Sequence, residues 1–135
     1  MRKLKGSCLC GAVEFEVVDE FDYVGNCLCS ECRKFTGSDY SSAGGVSSDK
    51  FTLLKGQTSV TYFEKSEATT LAFCKTCGSS LYSIKSDSGR VNVRLGALDD
   101  IPTQKPTFHI HVNSKAPWFD LDEHLVQFAE HPDKL

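Results

Sequence analysis

Along residues 12–18, AVEFEVV, apolar and polar side chains alternate and put Val13, Phe15 and Val17 on one face. A period of two is the mark of a strand with one buried side. Eight further short runs read the same way: DYVGNC (22–27), DYSSAGGV (39–46), FTLL (51–54), SVTYFE (59–64), TLAFC (70–74), SLYSIK (80–85), RVNVRLG (90–96) and FHIHV (108–112). Gly25, Gly44, Gly45, Gly56, Gly78, Gly89, Pro102 and Pro106 punctuate them, which predicts a mainly β chain of short strands joined by turns. Two short helices are predicted, over SECRKF (30–35) and over DEHLVQFAE (122–130), where Leu125, Phe128 and Ala129 share a face.

At 135 residues the chain is expected to form one domain, 1–135, around one core. Its net charge is −3, with Lys and Arg scattered and no basic run to follow a phosphate backbone, so nucleic acid is not expected as a partner. MRKLKGSCLC lacks the apolar core of a secretion signal, and no stretch has the length of a membrane span. The expectation is therefore a soluble, cytoplasmic protein without a membrane partner. A reducing compartment turns attention from disulfides to metal binding or catalysis for the seven cysteines, an odd number that cannot pair completely.

The cysteines fall into three groups, C-x-C at Cys8 and Cys10, C-x-C-x-x-C at Cys27, Cys29 and Cys32, and C-x-x-C at Cys74 and Cys77. Residues two apart on an extended strand point to one side, and a C-x-x-C turn curls around an ion, so each group presents sulfur to a common point. Gly78, just after the C-x-x-C pair, permits the positive φ that such a turn needs, and Gly11 follows the first pair in a faint echo of the same order of cysteine pair, glycine and strand. Cys8, Cys10, Cys74 and Cys77 supply the four thiolates of a closed structural zinc site; buried or redox-active thiols are the alternative. The remaining three, Cys27, Cys29 and Cys32, leave a zinc ion one open position, the mark of a catalytic ion; closure by a nearby His or Asp, or three free thiols, are the alternatives. The spacing fits neither ferredoxin cluster pattern.

The segments GSCLCGAVEFEV, CLCSECRKFTG, FTLLKG, TYF, FCKTCGSSLY, VNVRLGALDD and FHIHVNSKAPW, in this order, resemble the glutathione-dependent formaldehyde-activating enzymes, which have the Mss4-like zinc fold. The resemblance implies a complex β fold of short antiparallel sheets around a structural zinc on Cys8, Cys10, Cys74 and Cys77. It also implies a catalytic zinc on Cys27, Cys29 and Cys32, so two zinc ions per chain. The implied activity is that of a carbon–sulfur lyase, adding a small thiol, glutathione being one candidate, to an aldehyde, or reversing that addition. A non-catalytic zinc module that binds a protein partner, and a thiol carrier, are the competing readings. Leu28 stands where relatives often have a polar residue, commonly histidine, so the surroundings of the second site are expected to be more apolar.

Several other side chains are candidates around the triplet. Asp39 and Tyr40 lie just beyond it in sequence, and His109 with His111, two apart on a predicted strand, face one side; any of them can serve as a proton carrier, and either histidine as a fourth ligand. Arg33, Lys34 and Lys115 are candidate partners for the carboxylate of an anionic thiol. Trp118 is expected to cap the core or wall a pocket.

Overall fold

The computed structural model describes residues 1–121 and 124–132. It is mainly β, with eleven strands and one α-helix among the described residues. In chain order these are β1 (Lys3–Ser7), β2 (Glu14–Val18), β3 (Tyr23–Cys27), α1 (Ser30–Thr36), β4 (Ser41–Ser47), β5 (Phe51–Lys55), β6 (Val60–Glu64), β7 (Thr69–Cys74), β8 (Ser80–Lys85), β9 (Arg90–Arg94), β10 (Phe108–Ile110) and β11 (Val126–Gln127). Short 3-10 turns follow β4, β9 and β10.

Two sheets form. One has three strands in the order β1-β2-β5; the other has eight, β11-β10-β3-β4-β9-β8-β7-β6. Pairing is antiparallel except around β10, which runs parallel to both β3 and β11. This edge adds parallel pairs to the antiparallel pairing expected; β3 and β10, far apart in the chain, are joined by a long connection and not by a hairpin.

Alternation decides what each strand buries. On β2, Phe15 and Val17 point inward; on β9, Val91 and Val93 do, and both pairs are at most 5% exposed. They meet with Leu4, Val24, Val46, Ala72 and Tyr82 in one core between the sheets. Phe51 of β5, partly buried, packs against this core, with ring centroids 5.4 Å from Phe15 and 4.5 Å from Tyr82. At about 1.5–3 kcal/mol for each large apolar side chain buried, this core is the main force holding the sheets together. The other face of the large sheet carries the opposite parity: Tyr23, Gly25 and Cys27 of β3, Arg90, Asn92 and Arg94 of β9, Ser83 and Lys85 of β8. That polar face is where the cleft described below opens.

The structure differs from the sequence reading at the C-terminal end. The predicted helix over 122–130 is absent among the residues described: Val126–Gln127 is a strand beside β10, and Phe128 packs edge-on to Phe108 with centroids 6.0 Å apart. Asp122 and Glu123, its first two positions, lie outside the described residues. FHIHV is a strand only through Ile110; His111 adopts a left-handed backbone, φ 58°, and the chain turns there. Trp118 is 71% exposed, because the neighbouring Ala116 takes the buried position in this loop. No described helix is long and apolar enough to cross a membrane.

Candidate metal centres and the cleft beside them

Two clusters of sulfur are present, and none of the seven cysteines is in a disulfide. In the first, the Sγ atoms of Cys8, Cys10, Cys74 and Cys77 all lie within 4.8 Å of one another. Cys8 to Cys10 is 3.6 Å and Cys10 to Cys74 is 3.8 Å. Four thiolates around a tetrahedral zinc at about 2.3 Å have sulfurs about 3.8 Å apart, so this donor set fits such an ion.

The same local device builds both halves of this cluster. Gly11 donates its N–H to Cys8 O at 3.1 Å, and Gly78 donates to Cys74 O at 2.8 Å. Both glycines are left-handed, φ 81° and 79°, which the C-x-x-C spacing predicts for Gly78 but the extended reading of Cys8 and Cys10 did not for Gly11. The sulfurs of Cys8 and Cys10 therefore converge through a tight turn and not through an extended strand. The two turns are tied together where Leu9 N–H donates to Ser79 Oγ at 3.0 Å. The Ser79 hydroxyl and N–H hold the Cys77 thiol at about 5, well below its usual range.

The second cluster joins Cys27, Cys29 and Cys32 within the same 4.8 Å limit. Cys27 ends β3, and Cys29 is the N-cap of α1, accepting the N–H of Cys32 at 3.3 Å on its sulfur. Gly37, left-handed at φ 66°, closes the helix by donating to Arg33 O. Leu28, fully buried, anchors the segment, and its N–H donates to Ile110 O at 3.1 Å, so Cys27 and Cys29 project away from the core. The Cys27 and Cys29 sulfurs are 3.4 Å apart. Hydrogen bonds from Cys27 and Cys32 lower the pKa of the Cys29 thiol, while contacts with Cys29 and Cys32 raise that of Cys27. Among the described residues no fourth His, Cys, Asp or Glu completes the cluster.

A cleft of about 720 Å³ opens over this triplet, walled by the polar face of the large sheet. Lys65, Lys85, Arg90 and Arg94 line it. Arg94 is buried and, among the described residues, its guanidinium donates to hydroxyls, from Nε to Ser80 at 3.2 Å, from Nη1 to Ser41 at 2.8 Å and from Nη2 to Ser83 at 2.9 Å. Burial lowers its pKa, and the charges of Cys32, Cys27 and Cys29 oppose that shift. His111 and His131 line the same cleft, their ring centroids 6.3 Å apart.

Most of the other sequence candidates lie elsewhere. Asp39 accepts from Trp118 Nε1 at 2.9 Å, and Tyr40 lines a separate cleft on the far side of Arg94. His109 is buried at 2% exposure against Asn26, and the turn at His111 breaks the shared face expected for the two histidines. Arg33 is spent on Ser114 O and Lys115 on Phe119 O. The cations that do face the triplet were missed, although the alternation in RVNVR already put Arg90, Asn92 and Arg94 on one face.

A mainly β fold with one cluster of four thiols and one of three defines a class of small proteins in which each cluster could hold a metal ion. The sequence pattern of the glutathione-dependent formaldehyde-activating enzymes matches residues 3–114, and the chain belongs to that family. It is 32% identical to a Halomonas elongata protein named "Putative glutathione-dependent formaldehyde-activating enzyme", over 97% of this chain and 90% of that one. Its fold is also that of a Rhodobacter sphaeroides protein known from a crystal structure: the TM-score is 0.61 at 24% identity, over 76% of this chain and 97% of that one.

Proposed function

We propose that the protein is a zinc-dependent carbon–sulfur lyase that joins a small thiol to an aldehyde, and splits the same adduct in reverse. Cys8, Cys10, Cys74 and Cys77 hold a structural zinc; Cys27, Cys29 and Cys32 hold the catalytic one. The observation that carries this reading is the three-sulfur cluster without a fourth donor among the described residues, lining an open cleft. A zinc ion bound there supplies a position that favours sulfur and lowers the pKa of a thiol.

The chain's own groups do the rest. Cleft walls hold the thiol beside the carbonyl, and this proximity supplies much of the acceleration. The thiol gives its proton to solvent water, and the S–C bond forms as the carbonyl π bond breaks. The oxygen takes a proton back from water or through an imidazole lining the cleft, His111 or His131 among the described residues. Arg94 brings positive charge to a cluster that carries excess negative charge once its thiols ionise. The family name supports glutathione and formaldehyde as the pair, and unbridged cysteines suit a reducing, cytoplasmic setting.

Magnetisation-transfer NMR of the exchange between formaldehyde and its glutathione adduct tests the assignment. Wild-type protein is expected to accelerate exchange over buffer, and Cys32→Ser to lose the acceleration while remaining folded. Equal acceleration by both would refute the role given to the triplet.

A further inference from the structure

The cleft beside the triplet contains four cations, and their partners differ. Lys65 pairs with Glu31 at 2.7 Å and Arg90 with Asp22 at 3.2 Å. Arg94 is buried behind three serine hydroxyls. Lys85 is different: half-buried, it donates to Thr69 Oγ1 at 3.1 Å and has no carboxylate partner among the described residues.

Its position follows from register. Lys85 pairs with Thr69 of β7 on one side and Arg90 of β9 on the other, on the polar face of the sheet. From there its charge interacts with Lys65, Arg94 and the thiolates of Cys32 and Cys27. A half-buried ammonium facing other cations is poorly placed without a counter-charge, and burial first, then Lys65, lowers its pKa. An arriving carboxylate relieves that repulsion and accepts a charge-assisted hydrogen bond from an Nζ that has two donors left.

Resting on the function proposed above, we propose that Lys85 is the specificity residue for the thiol: it seats a carboxylate of a substrate whose sulfur reaches Cys27, Cys29 and Cys32, so the cleft selects carboxylate-bearing thiols over neutral ones. Glutathione, with two carboxylates remote from its sulfur, is one such thiol.

The test compares glutathione with its diethyl ester, which keeps the thiol and masks both carboxylates. In the exchange assay, zinc-loaded wild type is expected to half-saturate at a concentration about tenfold lower for glutathione than for the ester, as loss of one charge-assisted contact implies. Lys85→Met should bring that ratio close to one, and Lys85→Arg should restore most of it. A ratio unchanged in Lys85→Met overturns the proposal.

Binding of S-methylglutathione, followed by calorimetry, keeps the question separate from catalysis, because this ligand has no free thiol. If no thiol is turned over by wild type, the lyase reading fails, and the binding result still decides the role of Lys85. Binding about tenfold weaker in Lys85→Met than in wild type and Lys85→Arg supports it; equal binding by all three, or none to wild type, overturns it.

Discussion

The sulfurs of Cys10 and Cys74 lie 3.8 Å apart although 64 residues separate them in the chain. Cys10 follows β1 of the small sheet and Cys74 ends β7 of the large one, so a metal at this point fastens the two sheets. Structural zinc sites bind with roughly 10–16 kcal/mol in peptides, as much as the whole stability of a typical domain. Cys77→Ser is therefore expected to give insoluble or unfolded protein. Cys29→Ser should remain soluble and melt cooperatively; thermal melts of the two variants check the division of labour, and equal melting temperatures would count against it.

Gly78 gives a cleaner backbone test. A Cβ there would meet no heavy atom within 4 Å, but the backbone is left-handed at φ 79°. Gly78→Ala should thus lose about 1–2 kcal/mol from conformation alone, and Gly78→Asn less, since asparagine enters this region more readily. Urea unfolding at fixed zinc concentration measures both.

Arg94→Met removes three hydrogen bonds to serine hydroxyls and, among the described residues, the buried cation of the cleft. Each buried hydroxyl left without its donor costs stability, and a total loss of about 1–3 kcal/mol is expected. The variant should also yield zinc to a chelator faster than wild type, and only from the three-sulfur site. Arg94→Lys keeps the charge but cannot reach all three hydroxyls, so it should lose stability while retaining most of the zinc. Release kinetics with a colorimetric chelator separate these outcomes.

Asp19 lends the fold a pH dependence away from the metals. Its carboxylate is 2% exposed; burial alone would raise its pKa, but hydrogen bonds from Thr103 and Arg2 outweigh burial and lower it. A depressed carboxyl stabilises the fold above its unfolded pKa of about 3.9 and loses that contribution as pH falls through the folded value. Asp19→Asn should cost about 1–3 kcal/mol at pH 7, and its deficit relative to wild type should shrink below about pH 4. Urea titrations at pH 7 and in acid read the difference.

Much of the architecture was legible because alternation marks strands such as β2 and β9, even though bulges at Glu14/Phe15 and Ala72/Phe73 interrupt the register of β2 with β5 and of β7 with β8. The nine alternating runs all contain strands, and SECRKF is the helix α1. β1 escaped because one of its inward positions is Gly6, whose missing side chain makes room for the Phe15 ring. β11, two residues long, is too short to leave a period, and the apolar spacing of Leu125 and Phe128 mimicked a helix. The cysteine grouping was legible from spacing and number. The cleft was not: Lys85 and Arg94 look like ordinary strand charges in sequence, and only the register of β7, β8 and β9 turns them toward the thiols.

Two centres, one closed by four sulfurs and one left open by three, are the core of this account. Zinc per chain, measured by elemental analysis on wild type and Cys29→Ser purified without added metal or chelator, tests it most directly. The account expects close to two ions in wild type and one in Cys29→Ser. One ion in both proteins would contradict it, leaving the triplet without the metal on which the proposed chemistry depends.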